Sequence, residues 1–129
     1  MGTVYEAIQH GAEGFEKRVA IKTITEEFSD EHQLLEMFIG EAKLVADLVH
    51  PNIVQIYQLG KIGKSYYIAM EFINGKNLGQ FMKRHSQLGR SVPVEISTFI
   101  VSRVCRGLEY AHSKCDADGQ PLGVVHRDV

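Results

Sequence analysis

Apolar and polar positions alternate along the first part of the chain, and this pattern predicts strands. Val4 to Ile8 reads as a short strand, and Arg18 to Thr25, rich in β-branched residues, as a second. His10-Gly11-Ala12-Glu13-Gly14 is a turn between them, which implies an antiparallel hairpin. The period then changes. Leu34, Phe38, position 41, Val45 and Leu48 recur at steps of four and three, as on one side of a helix. Ser29 or Asp30 can cap this helix, and Gln33 stands three residues after Asp30 as in a capping box. His50-Pro51-Asn52 is expected to end it, because proline disfavours helical geometry in the residue before it. Two more strands follow, Ile53 to Leu59 and Tyr66 to Ile73, with Lys61-Ile62-Gly63-Lys64 turning between them. Asn74-Gly75-Lys76-Asn77 breaks the pattern and marks a boundary.

Beyond that boundary the periodicity is helical. A short helix is expected from Leu78 to His85, with Lys83-Arg84-His85 as its solvated end. A longer one begins near Pro93 and carries Ile96, Ile100, Val104, Leu108 and Ala111 on one side. Asp116 to Pro121 is a polar loop, and Val124-Val125 leads into His126-Arg127-Asp128-Val129. Strands with one inserted helix, followed by helices, give an α+β order rather than a repeating βαβ order. The expected organisation is residues 1–73 as a sheet-bearing part and 74–129 as a helical part.

Composition narrows the function classes. The chain has 129 residues, 44% hydrophobic and 23% charged, as in a globular domain. A formal charge of −2 provides no basic footprint for nucleic acid or an anionic membrane. No apolar run reaches membrane-spanning length, and the N-terminus lacks a signal-peptide pattern, so a cytoplasmic setting is expected for this segment. Cys105 and Cys115 are separate thiols without a CxxC pattern. The six histidines have no ligand spacing, and no metal is assigned to them. Asp116-x-Asp118-Gly119 is a surface turn, since an EF-hand starting there needs glycine where Pro121 stands.

The informative residues are two misplaced charges. In Val19-Ala20-Ile21-Lys22-Thr23-Ile24, side chains alternate, so Lys22 shares a face with Ala20 and Ile24. On the helix, Glu41 occupies a seam position between Phe38 and Val45. Charges on apolar faces are costly unless paired. Opposite charges on adjacent elements are most economically satisfied by each other, with Glu41 reaching Lys22. A lysine held in this way can be aimed at an anionic group, and phosphate is the natural candidate.

These residues resemble the protein kinase family. Gly2-Thr3-Val4-Tyr5-Glu6-Ala7 is similar to the end of its glycine-rich loop, with Gly2 as the last glycine, and Val19-Ala20-Ile21-Lys22 matches V-A-I-K. Glu41 falls where the family's helix glutamate belongs. His50-Pro51-Asn52-Ile53-Val54 matches the turn after that helix, Met70-Glu71-Phe72-Ile73 resembles the gatekeeper and hinge, and His126-Arg127-Asp128 opens the catalytic loop. The loop from Asp116 to Gly123 looks most like bacterial serine/threonine kinases.

The resemblance implies a kinase small lobe over 1–73, lacking its first strand and part of the glycine loop, then the hinge and first helices of the large lobe over 74–129. It implies ATP and Mg2+ as cofactors and a protein substrate, with no nucleic acid and no membrane contact in this segment. By position, Gly2 would belong to the nucleotide site, and Val4 and Ala20 would cover the adenine. Lys22 would bind the α- and β-phosphates, held by Glu41. Met70 would gate the space behind the adenine, and the backbone of Glu71 and Ile73 would bond its edge. Asp128 would accept the proton of the substrate hydroxyl, Arg127 would pair with a phosphorylated loop, and His126 would be structural. The family's magnesium-binding asparagine and aspartate have no counterpart in this chain. It is therefore expected to be part of a longer catalytic domain, inactive in transfer by itself, with one apolar side of the Ile96-to-Ala111 helix exposed. Two alternatives stand beside this one. The chain could be a pseudokinase module that binds nucleotide or a partner, or a truncated reading frame with Met1 as an internal methionine.

Overall fold

The computed structural model describes residues 3–24 and 32–126, apart from the side chains of 32–34. It divides into two compact units, Met1–Ile73 and Asn74–Val129.

The first unit is built on four antiparallel strands, β1 (Thr3–His10), β2 (Glu16–Thr23), β3 (Ile56–Ile62) and β4 (Ser65–Glu71), in the order β1-β2-β4-β3. Between β1 and β2 the chain turns through a single 3-10 turn, Ala12–Gly14. Gly63 and Lys64 form the two-residue loop of the β3–β4 hairpin, with Gly63 at φ 59°, the left-handed geometry such a tight loop requires. Opposite Tyr67, Gly60 leaves room for the tyrosine ring, since a Cβ there would meet Tyr67 Cζ at 2.3 Å.

Helix α1 (His32–Ala46) covers one end of one sheet face. Ile24, Phe38, Ala42 and Ile68 form the buried cluster, with Leu35, Ile56, Leu59, Tyr66 and Met70 packed around it. Each fully buried large apolar side chain contributes roughly 1.5–3 kcal/mol, so this cluster is what fixes α1 on the sheet. Ser29 and Asp30, the expected caps of α1, lie outside the described residues, as does the side chain of Gln33.

Several boundaries differ from the pattern read along the chain. Helix α1 stops at Ala46, before His50-Pro51-Asn52. The Leu48 N–H donates to the Val45 carbonyl at 3.0 Å, a tighter turn that swings Leu48 inward, where it is buried. Ile53 to Gln55 are not strand. Ile53 N–H donates to the His50 carbonyl at 3.0 Å and Asn52 N–H to His50 Nδ1 at 3.1 Å, so this stretch completes the proline turn. Lys61 and Ile62 belong to β3, and β4 ends at Glu71 rather than Ile73. On α1 the deeply buried seam residue is Ala42, while Glu41 is exposed at the edge of the seam.

The second unit holds α2 (Leu78–Gln87) and α3 (Val94–His112). Asn77, at the end of the pattern break, caps α2. Its side chain accepts from Gln80 N–H at 2.8 Å, and Gln80 Oε1 accepts from Asn77 N–H at 3.2 Å. His85 is not part of a solvated helix end. It is half-buried, its ring 4.6 Å from that of Phe81. Pro93 precedes the first turn of α3. After α3 the chain makes a small hairpin in which Asp116 Oδ1 accepts from Asp118 N–H at 3.0 Å and Gln120 N–H at 2.8 Å. Buried residues in α3 are Gly107 and Ala111, whereas Val94, Ile96, Phe99, Val101 and Val104 are exposed.

Candidate functional site

Alternation and register decide which side chains can act together. Val4 pairs with Lys22 and Lys22 with Ile68, while Glu6 pairs with Ala20 and Ala20 with Met70. Directly paired residues share a face, as do residues two apart on one strand. Val4, Ala20, Lys22, Ile68 and Met70 therefore lie on the same face. Helix α1 covers that face at the Ile68 end, so Lys22 stands at the border of the helix-covered area.

At this border the two charges meet. Lys22 Nζ donates to Glu41 Oε1 at 2.9 Å and to Oε2 at 3.1 Å. The pair is less deeply placed than apolar flanks suggest, with side-chain exposure of 29% for Lys22 and 56% for Glu41. Ala20 on β2 and Ile24 just past its end, two residues to either side of Lys22, are buried, and the lysine head lies 5.8 Å from the Phe38 ring centroid. Phe38 sits nearly one helical turn before Glu41, so one helix contributes both the carboxylate and an aromatic surface to the same ammonium. This arrangement can present a positive charge, with its direction set by two partners, next to an apolar strip of Val4, Ala20 and Met70.

Glu71 ends β4, its N–H donating to the Gln55 carbonyl at 2.8 Å while its carboxylate accepts the Gln55 N–H at 3.3 Å. Glu71 is thus anchored through both backbone and side chain, and Phe72 and Ile73 leave the ladder directly after it, with Ile73 exposed. Of the other residues singled out by sequence, Gly2, Arg127 and Asp128 lie outside the described residues, and His126 is exposed. Among the described residues no group of three or more His, Cys, Asp or Glu side chains could hold a metal ion.

A cluster the pattern reading passed over continues the same face. Arg18 Nε donates to Glu6 Oε1 at 2.9 Å, and its guanidinium carbon lies 4.5 Å from the Phe72 ring centroid. The signal for Glu6 and Arg18 was in the sequence, as opposite charges on neighbouring strands with the parity of Val4 and Ala20. The position of Phe72 was not, because it lies past the end of a strand.

A family model described as "Protein kinase domain" matches residues 1–129. The chain belongs to the protein kinase family. It is 38% identical over its full length to the tyrosine-protein kinase MasK of Myxococcus xanthus, spanning 20% of that protein. It is 35% identical to the serine/threonine-protein kinase PknD of Chlamydia muridarum, spanning 13% of it. To the serine/threonine-protein kinase PknA of Mycobacterium tuberculosis it is 31% identical, spanning 28%. The crystal structure of the M. tuberculosis PknI kinase domain matches all of this chain with 47% of its own, at 29% identity and a TM-score of 0.74. Rad53 1–466 in complex with AMP-PNP matches 99% of it with 29% of its own, at 26% identity and a TM-score of 0.72. Within this kinase fold, the four-stranded sheet with α1 is a small-lobe arrangement, followed by helices, and the α+β class holds. No described helix is long and apolar enough to cross a membrane.

Proposed function

We propose that this chain is the ATP-binding part of a protein kinase that transfers the γ-phosphoryl group to serine or threonine hydroxyls of proteins. The observation that carries this reading is the Lys22–Glu41 pair, at 2.9 and 3.1 Å, on the same sheet face as the apolar residues Val4, Ala20 and Met70. A planar base needs apolar surface, and its phosphates need a fixed positive charge a short distance along the same face. The residues present fit ATP in both respects.

In this reading Val4 and Ala20 cover the adenine, and Met70 stands behind it. The Glu71 N–H is already bonded to Gln55, so the Glu71 carbonyl and the Ile73 N–H are the groups for the adenine edge. The Lys22 ammonium neutralises α- and β-phosphate oxygens, and Glu41 keeps it from swinging away. Gly2, the last glycine of the loop motif, would contribute to the phosphate end of the site. Asp128 accepts the proton of the attacking hydroxyl as its oxygen bonds to the γ-phosphorus and the bond to the ADP oxygen breaks. Bound ATP supplies the phosphoryl group, and Mg2+ offsets phosphate charge. Serine/threonine preference draws on the names of PknD and PknA, and the name of MasK supports tyrosine instead. Phosphoamino-acid analysis of the product decides between them.

Thermal shift of the purified chain with ATP and Mg2+, beside Lys22→Met, tests the site. A ligand that binds only the folded form raises the melting temperature. The expected result is a rise for the parent chain and none for the variant, with similar melting temperatures without ligand. An equal rise in both would overturn the assignment of Lys22. Binding without transfer in a longer chain that carries Asp128 would favour the pseudokinase module.

A further inference from the structure

Resting on the nucleotide site proposed above, we infer that Arg18 is a positioning residue for the adenine end of the site, holding Phe72, and through it the Ile73 backbone, in place. The sheet face runs from Lys22 through Ala20 to Arg18 in steps of two residues, and across β4 from Ile68 to Met70, with Phe72 just past the end of that strand. Arg18 thus occupies the row beyond the adenine strip, at the far end from the phosphate-binding lysine.

Its geometry is that of a bridge between an ordered strand and an unladdered segment. On one side the guanidinium bonds Glu6, a β1 residue whose backbone is held in the β1–β2 ladder. On the other it lies 4.5 Å from the centre of the Phe72 ring. Phe72 is half-buried, whereas its neighbour Ile73 is exposed. The last residue anchored by hydrogen bonds from β4 is Glu71, through Gln55. Ile73 is two residues further on, so its N–H direction depends on what restrains Phe72. A planar cation that stacks on the ring and is itself fixed by a carboxylate provides that restraint, which a flexible ammonium does less well. Glu6 is needed because it orients the arginine. The pair is half-exposed and adds little to stability by itself, which leaves orientation as its main effect.

Competition of ATP and of adenosine against a fluorescent ATP analogue separates this role from that of Lys22. Arg18→Ala is expected to weaken ATP and adenosine by the same factor, about threefold for loss of one exposed cation–π contact. Its ligand-free melting temperature should stay close to that of the parent chain. Arg18→Lys keeps the charge without the plane and should recover less than half of the loss. Lys22→Met is expected to weaken ATP and leave adenosine unchanged. If Arg18→Ala weakens ATP but not adenosine, Arg18 acts as a distant charge and the inference is overturned. Unchanged affinity for both ligands overturns it as well, whether or not the melting temperature falls. If Lys22→Met leaves ATP affinity unaltered, the nucleotide site itself is misassigned, and this inference goes with it.

Discussion

The sheet-bearing unit and the helical unit differ in what they bury. In the first, Ile24, Phe38, Ala42 and Ile68 form a closed cluster, with Val19, Ala20 and Leu48 also buried. In the second, α2 buries no residue and α3 buries only Gly107 and Ala111, while α3 exposes five large or branched apolar side chains from Val94 to Val104. Folding has to offset roughly 1–2 kcal/mol of backbone entropy per ordered residue. Interior burial does so in the first unit. In the second, the described residues rely on local devices such as the Asn77 capping box and the Asp116 turn. A kinase-family chain can thus carry a small-lobe arrangement with its own core, followed in sequence by helices that expose apolar side chains.

Three substitutions would sharpen or break this contrast. The largest effect is expected for Ile68→Ala, which removes the most buried large side chain of the first unit and should cost about 2–5 kcal/mol. Urea unfolding followed through tyrosine fluorescence measures it. A loss under about 1 kcal/mol would mean that the cluster does not organise this unit. Next comes Asn77→Ala, which deletes the bond from Gln80 N–H to the Asn77 side chain and should cost about 1 kcal/mol. Hydrogen exchange should show it as faster exchange confined to the first turn of α2. Protection lost across β2 and β4 as well would show that the two units unfold together, against the contrast drawn here. The smallest effect is expected for Phe99→Ser on α3, 57% exposed, which should change unfolding free energy by no more than about 0.5 kcal/mol. A decrease in light scattering at high protein concentration is expected with it. A core-sized destabilisation would reveal that this face is covered in solution.

Parts of the site were legible because they depend on short periods. The alternation of Val19 to Ile24 put Lys22 on the face of Ala20, and register across β4 puts Met70 on that face too. Opposite charges beside apolar neighbours announced the Lys22–Glu41 contact, which closes at 2.9 Å. The depth of that contact was not legible. The seam read along α1 ran through position 41, but Ala42 is the residue that enters the core. One residue on a helix is a rotation of about 100°, enough to move a carboxylate from the interior to its rim.

Strand and helix periods, the α+β order and the family motifs are properties of neighbouring residues, and the sequence by itself determined them. Tertiary structure decided what distant segments do to one another. It ended α1 at Ala46, since burying Leu48 required a tighter last turn. It withdrew Ile53 to Gln55 from the sheet, since the His50 carbonyl and imidazole took up the turn's N–H groups. It also set Phe72 beside Arg18, a contact between residues far apart in sequence. Burial and cross-strand register act between segments rather than along them. A local pattern therefore names the elements, while the face that meets a ligand depends on how those elements are rotated and paired.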